Sequence, residues 1–557
     1  MLRLTELILP LDHDAAALPA AIAGRLRCAP ADILHWSIAR RGHDARRRSE
    51  IRLVYNIDVA LRDEPGVLGR LAGDTHVGPA PDTTYRPPVK VSEPVGLRPI
   101  VIGCGPCGLM AALALAEMGF RPIILERGRI VRERTRDTWA LWRRSVLTAE
   151  SNVQFGEGGA GTFSDGKLYS GIKDPRHLGR KVLTEFVAAG APEDILYVSK
   201  PHIGTFRLVT VVEGIRTKIE ALGGEYRFGA RVEDFDIETR PDGSRQVRGV
   251  VLADGERIAA DHVVLAIGHS ARETFAMLHA RGVHIEAKAF SIGVRIEHPQ
   301  ALIDRARFGR FAGHPVLGAA DYKLVHHAAN GRSVYTFCMC PGGRVVAATS
   351  EPGCVATNGM SQYSRAEFNA NAGIVVGVDP ATDYPDGPLA GIAFQRHWEH
   401  RAFEAGGGTY AAPCQTVGDF LAGKPSAGLG EIVPSYKPGV TPTDLATCLP
   451  AFAVDAIREA LPAFDRQIPG FARDDAVMTG VETRTSSPVR VTRNLGFESL
   501  NTGGLFPGGE GAGYAGGILS AGVDGIRLAE AVALSLSGQA PLDARAGEVD
   551  RSSAPAM

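Results

Sequence analysis

Apolar and polar positions alternate over residues 2–9, the period of a strand with one buried face. Residues 15–28 carry a helical pattern, with Pro19 tolerated only near its start. Two further runs, 34–41 and 51–61, read as strands around a turn at Gly42-His43-Asp44. The order strand, helix, strand, strand predicts a small α+β unit. Residues 63–97 then lose the periodicity. They carry Pro65, Pro79, Pro81, Pro87, Pro88 and Pro94 and read as a linker with short structured pieces.

The pattern changes at Ile100-Val101-Ile102, a short, continuous apolar run. An alanine- and leucine-rich helix follows, and a second apolar run over 122–125 ends in Glu126. Between the first run and the helix stands Gly103-x-Gly105-x-x-Gly108, with Pro106 and Cys107 inside the turn. Gly103 allows the tight turn, Gly105 lets backbone approach a pyrophosphate, and Gly108 lets helix pack on strand. The helix N-terminus presents free N–H groups and partial positive charge to that pyrophosphate. Glu126 lies 18 residues past Gly108, near the spacing of about 20 expected of a carboxylate that binds ribose hydroxyls. Together these features predict a dinucleotide site, with Arg127 directly after the acid.

Residues 129–142 are polar, arginine-rich and helical in character, and include Arg134. The stretch 152–167 then packs five glycines into sixteen residues. That density suits backbone wrapped closely around a ligand. Gln154, Gly158, Gly159, Ala160, Gly161 and Thr162 are the candidate contacts. A helix over 208–222, a strand over 223–234, a hairpin of 247–252 with 256–258, and a buried strand over 261–269 ending in Ala266-x-Gly268 follow.

From about residue 285 to 480 the character shifts to a mixed α/β unit. Residues 290–297, 322–326, 332–340 and 344–350 are strand-like, and 445–464 holds helical stretches broken by Pro450 and Pro462. A closing run covers 477–491. Residues 504–520 then read as strand, glycine turn and the start of a helix running to about residue 534.

Gly511-x-Gly513-x-x-Gly516 repeats the dinucleotide motif literally, yet no second strand and acid follow it. It fits the closing motif of a split FAD domain, with Gly509, Glu510, Ala515, Gly516, Gly517 and Ile518 as contacts. Glu510 is expected near the ribityl chain and pyrophosphate. The helix N-terminus at Gly516-Gly517 would face the flavin pyrimidine edge, where reduced flavin carries negative charge. With no second complete unit, a permanent NAD(P) site and a disulfide-reductase architecture are disfavoured, and NAD(P)H enters only as a transient electron donor. Cys104 and Cys107 lie in the phosphate turn and read as small turn residues.

The fold expected is α/β. A Rossmann-like FAD-binding domain of glutathione-reductase type (96–284 and 481–540) carries an inserted mixed α/β substrate domain (285–480). A small N-terminal α+β, ferredoxin-like domain with its linker (1–95) precedes it, and a flexible tail (541–557) follows. Composition agrees: 557 residues, 45% hydrophobic and 22% charged, bound two to four soluble domains. A net charge of −1 gives no general attraction to nucleic acid or anionic membrane. No apolar segment approaches the roughly 20 residues that span a bilayer. Eight scattered cysteines without framework spacing favour reduced thiols and a cytoplasmic setting. The oligomeric state is left open.

The motifs resemble the glutathione-reductase-type two-dinucleotide-binding-domain flavoproteins. Within them, they are most similar to a bacterial group of FAD-dependent dehydrogenases, the "NAD(FAD)-utilizing dehydrogenases", which has no agreed substrate. The resemblance rests on His43-Asp-Ala-Arg46, residues 154–168, Gly318-Ala-Ala-Asp-Tyr-Lys323, and residues 335–343, 482–490 and 509–518. It implies an FAD-binding oxidoreductase with an extra N-terminal domain. The glycine loop would run beside the flavin, Val232 would meet the adenine through its backbone, and Ala266 and Gly268 would lie on the pyrophosphate side.

The expected chemistry is hydride transfer between flavin N5 and a small-molecule carbon or NAD(P)H. Cys338-x-Cys340 on one strand would put both thiols on one face, as a redox pair, a partial metal site or two buried small residues. No metal site is located. Arg484, with Thr485 and Ser487, can bind an anionic group or form a structural ion pair. Tyr514 can donate a hydrogen bond or simply pack. Lys167 can approach the flavin or be solvated. His269 reads as a pyrophosphate-side residue. Two other readings compete: an RNA-modifying flavoprotein, raised by the cluster Arg40, Arg41, Arg46, Arg47, Arg48 and Arg52, and a flavin-binding protein whose N-terminal unit docks a partner.

Overall fold

The computed structural model describes residues 1–93 and 96–542. Most of the expected tail therefore lies outside the described residues. The N-terminal unit is built from β1 (Leu2–Pro10), α1 (Ala17–Leu26), β2 (Ile33–Asp44), β3 (Arg52–Leu61), α2 (Glu64–Arg70) and β4 (Val77–Pro79). The four strands form an antiparallel sheet in the order β2-β3-β1-β4. The alternation expected of β1 and β3 buries Leu2, Leu4, Ile57 and Val59 against α1, whose Ile22 and Leu26 are fully enclosed.

The stretch expected to be a linker contributes α2 and the edge strand β4. Asp63 caps α2 by accepting the Gly66 N–H at 2.9 Å, and Pro65 sits in the first turn, where it costs no hydrogen bond. Prolines that read as breakers here mark a helix start.

The dinucleotide motif folds as expected. β5 (Ile100–Ile102), α3 (Pro106–Glu117) and β6 (Ile123–Glu126) are followed by α4 (Val131–Arg144), α5 (Leu178–Ala188) and α6 (Thr205–Ala221). The region expected to be one strand over 223–234 is two: β7 (Glu225–Phe228) joins the parallel sheet, and β8 (Val232–Thr239) starts an antiparallel meander with β9 (Arg245–Leu252) and β10 (Arg257–Ala259). Gly229, at φ 67°, turns the chain between them. With β11 (Val263–Leu265) and the strand Leu505–Pro507, the parallel sheet runs Leu505–Pro507, β11, β5, β6, β7. α3 has almost no exposed face, which accounts for its unbroken alanine and leucine pattern. It packs on the closing helix Ile518–Leu536 so closely that a Cβ on Gly525 would stand 2.1 Å from the Cys107 carbonyl oxygen.

The middle of the chain forms a seven-stranded sheet. Its order is Val325–His327, Ser333–Cys340, Asn369–Val378, Phe290–Pro299, Val477–Glu482, Ala412–Thr416, Val440–Pro442. The helix Ala451–Asp465 starts just after Pro450 but runs through Pro462. Buried Ile457, Leu461 and Phe464 hold it across the lost hydrogen bond.

Candidate cofactor and active site

Three distant segments converge at the carboxyl end of β5. Gly103 (φ 89°) makes the turn, and a Cβ there would lie 2.5 Å from the Ala266 carbonyl oxygen. A Cβ on Gly159 (φ 60°) would lie 2.7 Å from the Cα of Gly105, so the glycine loop rests directly on the dinucleotide turn. Pro106, Gly158, Gly161, Thr162 and Ile518, with the apolar Leu109, Phe186, Leu208, Val211 and Val212, line a small void of about 20 Å³ between turn, loop and closing helix. Nothing stands within 4 Å of a Cβ built on Gly268, Gly516 or Gly517, and the enclosed Thr162 hydroxyl has no partner. Close backbone approach, open space at the strand ends, an unpartnered hydroxyl and two helix N-termini fit a pyrophosphate-bearing dinucleotide.

Glu126 ties this cradle together. Its carboxylate accepts from the backbone N–H of Gly128 and Gly156 at 2.9 Å, from Cys104 N–H at 3.1 Å, and from the Cys104 thiol at 3.3 Å. Four donors fill both carboxylate oxygens, so a ribose hydroxyl would take the place of the thiol, the weakest of them. Arg134 is completely buried beneath the loop, where it donates to the carbonyls of Asn152, Val153, Gly156 and Glu157. It supports the loop; a direct contact to a ligand, as the sequence led us to expect, would require giving up one of these bonds. Arg127 lies over the Phe155 ring at 3.9 Å and pairs with Glu150 and Glu273. Gln154 donates to the Ala348 carbonyl at 3.0 Å and accepts from Ser270 at 3.1 Å. Val232 opens β8, and Ala160 opens a short turn of helix.

The closing turn meets the first one. A Cβ on Gly509 would stand 2.8 Å from the Cys107 Cβ, and Gly509 N–H donates to Asp524, which pairs with Arg493 at 2.6 Å. The carboxyl of neighbouring Glu510 makes no hydrogen bond among the described residues, though its backbone carbonyl accepts the Gly513 N–H at 3.0 Å. Burial pushes its carboxyl up to about 7, opposed by Lys288. Gly516 N–H donates to Ser520, next to Ala515, at the mouth of the closing helix.

On the far side of the loop, Lys167 donates to the Met339 carbonyl and lies 4.0 Å from Cys340 Sγ. The strand Ser333–Cys340 does not keep the regular alternation expected of it. Its register slips between Phe337 and Cys340, and Cys338 adopts φ 44°. The strand therefore does not present the two cysteines by a regular period of two, and the Cys340 thiol donates to the Cys338 carbonyl at 3.3 Å. Arg295, fully buried, donates to the Cys338 carbonyl at 2.9 Å and pairs with Glu482 at 2.9 Å.

Two expected catalytic residues are otherwise engaged. Arg484 pairs with Glu399 at 3.0 Å and donates to Ser350 at 2.7 Å, the structural alternative. The Tyr514 hydroxyl accepts the Arg493 N–H at 3.0 Å, and its ring carries the Arg493 guanidinium at 3.9 Å. His269 contacts the Arg484 carbonyl, and burial lowers its imidazole to about 3, so it is neutral. Sequence reasoning missed Arg295, Lys288 and the cluster Glu351, Cys354 and Glu399, whose ligating atoms lie within 4.8 Å of one another. Arg272, Arg396 and Arg484 already pair the two carboxylates.

Comparison with known proteins places these features. Residues 289–485 match the family "FAD-dependent protein, C-terminal domain-like", and residues 1–60 match a domain of unknown function. An uncharacterized protein of Clostridium beijerinckii is 46% identical over 530 residues, covering 95% of this chain and 98% of that one. Among solved structures, L-proline dehydrogenase from P. horikoshii is 14% identical with a TM-score of 0.34, covering 81% of this chain and 96% of that one. A flavoprotein/dehydrogenase from Cytophaga hutchinsonii is 11% identical with a TM-score of 0.36, covering 81% of this chain and 80% of that one. The chain belongs to the family of the Clostridium protein, and its central region to the FAD-dependent proteins. The match to FAD-dependent proteins gives its cofactor as FAD. No helix among the described residues is long and apolar enough to cross a membrane.

Proposed function

We propose that the chain binds FAD in the glutathione-reductase-type manner, as the "NAD(FAD)-utilizing dehydrogenase" resemblance implies, and moves a hydride between the flavin and a small molecule or NAD(P)H. The observation that carries this is the close approach of the glycine loop at Gly159 to the α3 turn at Gly105, with open space over Gly268, Gly516 and Gly517. Gly103, Gly105, Pro106, Cys107 and Gly108 would hold the pyrophosphate with Ala266 and Gly268. Val232 would meet the adenine. Gly509, Glu510, Ala515, Gly516, Gly517 and Ile518 would face the ribityl chain and pyrimidine edge. Bound FAD would supply a two-electron acceptor at N5. The chain's part is to hold it, shield it and set the charge around it, with Lys167, Cys338 and Cys340 nearest the reacting side.

The N-terminal β-α-β-β-α-β unit is read as a ferredoxin-like module beside the flavoprotein body. Its basic cluster is partly neutralised, Arg46 by Asp44 and Arg52 by Glu50, which weighs against RNA as the substrate. Free thiols at all eight cysteines accord with a cytoplasmic setting. The test is to purify the protein, identify the released cofactor, and mix the holoenzyme anaerobically with NADH and with NADPH. Oxidised-flavin absorbance should bleach with a competent donor. A purified chain that neither carries nor takes up FAD would sink the reading.

A further inference from the structure

We infer that Arg41 is a positioning residue: its backbone holds the segment 197–204, and through that segment the N-terminal unit sets the glycine loop and Lys167 at the flavin. This rests on the FAD reading above.

β2 is an edge strand, so its outer row of N–H and C=O groups has no partner within its own sheet. At Arg41 that row is used. Arg41 N–H donates to the Tyr197 carbonyl at 2.6 Å, and Ser199 N–H donates to the Arg41 carbonyl at 2.8 Å. Arg41 and Val198 thus form a parallel bridge from the N-terminal sheet to the body of the chain. The approach is close, since a Cβ on Gly42 would stand 3.0 Å from Ser199 Oγ. The Arg41 guanidinium covers the Tyr197 ring at 5.3 Å.

The same segment then pairs with the end of the glycine loop. Leu168 N–H donates to the Pro201 carbonyl at 2.8 Å. The N–H groups of Ile203 and Gly204 donate to the carbonyls of Gly166 and Asp165, each at 3.1 Å. His202 and Lys167 form an antiparallel bridge. Only four residues separate Val198 from His202, at most about 13 Å of extended chain. Pro201 stiffens this link by fixing φ.

Two sequence motifs that the cofactor site leaves unused meet the segment. In His43-Asp-Ala-Arg46, Arg46 Nε donates to Asp44 at 2.9 Å and closes the turn after Arg41, while the His43 ring stands edge-on to Phe308 at 5.6 Å. In Gly318-Ala-Ala-Asp-Tyr-Lys323, Asp321 pairs with Lys200 at 2.7 Å. On a third side a Cβ on Gly204 would stand 2.2 Å from Tyr363 N, so the segment lies directly against that backbone. What the segment holds in turn is the backbone of Lys167, whose ammonium donates to the Met339 carbonyl. A shift of the N-terminal sheet at Arg41 reaches that ammonium through one short run of hydrogen-bonded backbone.

Arg41→Pro tests this. The N–H that proline removes points away from β3, because it donates to Tyr197, so the β2–β3 ladder keeps its bonds. Arg41→Ala keeps the N–H and is the reference. Hydrogen–deuterium exchange of the purified chains should show the amides of Leu168, Ile203 and Gly204 exchanging about two- to tenfold faster in Arg41→Pro than in Arg41→Ala, the worth of one hydrogen bond. The amides of β3 and α3 should not change. The visible circular dichroism of the bound flavin should change in Arg41→Pro alone. If Arg41→Pro yields no folded chain, Gly42→Val makes the same measurements by pressing on Ser199. Equal exchange at Leu168, Ile203 and Gly204 in variant and reference would overturn the inference, and so would an unchanged flavin signal. Exchange reads the coupling with or without flavin. A chain that shows it and carries no FAD would sink the FAD reading and leave the coupling of Arg41 to the glycine loop standing.

Discussion

The ammonium of Lys167 lies 4.0 Å from the sulfur of Cys340 and donates to the Met339 carbonyl between the two cysteines. Lys167 closes the glycine loop, whereas the cysteines end a strand of the seven-stranded sheet. One side chain thus joins the segment expected beside the flavin to the cysteine-bearing end of that strand. Burial would lower this ammonium, but the two cysteines and Asp165 outweigh it and hold it protonated. The contact is electrostatic as well as structural.

Lys167→Met should therefore move the Cys338 thiol toward its ordinary range. The midpoint pH for iodoacetamide alkylation of the 333–344 peptide should rise by about one unit or more, the size of effect one close charge exerts. Lys167→Arg should restore most of it. A midpoint unchanged in Lys167→Met would mean that Arg295 and the Cys340 thiol alone govern the sulfur.

Gly159→Val should abolish FAD retention. The new Cβ would stand 2.7 Å from the Gly105 Cα at φ 60°, so both the loop and the dinucleotide turn would have to give way. Flavin absorbance per protein should fall at least tenfold, with the far-ultraviolet spectrum unchanged. Gly69→Ala is the control: a Cβ there meets nothing within 4 Å, and flavin content should not move. Wild-type flavin content in Gly159→Val would show that the loop does not border the cofactor.

The strand–glycine turn–helix around Gly103 was legible because each of its parts has a local cause. Gly103, Gly108 and Gly159 are required by backbone contacts within or against one turn, and a linear motif records such contacts directly. Periodicity put Cys338 and Cys340 on one face of a strand, but the register against Asn369–Val378 slips between Phe337 and Cys340, and pairing is not written locally. Arg295 and the strand Asn369–Val378 were invisible for a related reason. Every residue of that strand but one is buried, so it shows no alternation. Arg484 drew notice with Thr485 and Ser487 as an anion-binding or ion-pairing group and Tyr514 as a polar group in the closing glycine motif, and Glu399 and Arg493 engage them.

Arg295→Met should destabilise the chain strongly. Arg295 and Glu482 are fully buried, 2.9 Å apart, with Asn358, Asn371 and Thr357 completing the network. Removing one member of such a pair leaves a buried charge and costs about 3–5 kcal/mol, whereas replacing both is often near neutral. The double variant Arg295→Met with Glu482→Met should thus melt closer to wild type than Arg295→Met alone. A double variant that loses the sum of the two single losses would mean the residues do not act as a pair.

Glu510→Gln should change how apoprotein stability depends on pH. In the folded chain burial raises this carboxyl from 4.5 to about 7, so between those values the folded state holds a proton that the unfolded state has released. Stability contributed by this group is present below about 4.5 and lost as pH climbs toward 7. Glutamine keeps the shape and does not titrate. Lys288 is the charged side chain that faces this carboxyl, so the difference between the two proteins reads Glu510 together with its pairing to Lys288. The variant should gain on wild type across this interval and level off above it, by about 1–3 kcal/mol at one pKa unit per 1.4 kcal/mol. Thermal melts of both apoproteins at pH 5 and pH 8 measure this gap. A gap equal at the two pH values would mean the carboxyl finds solvent or a partner when FAD is absent, and that its isolation beside Lys288 does not set its charge.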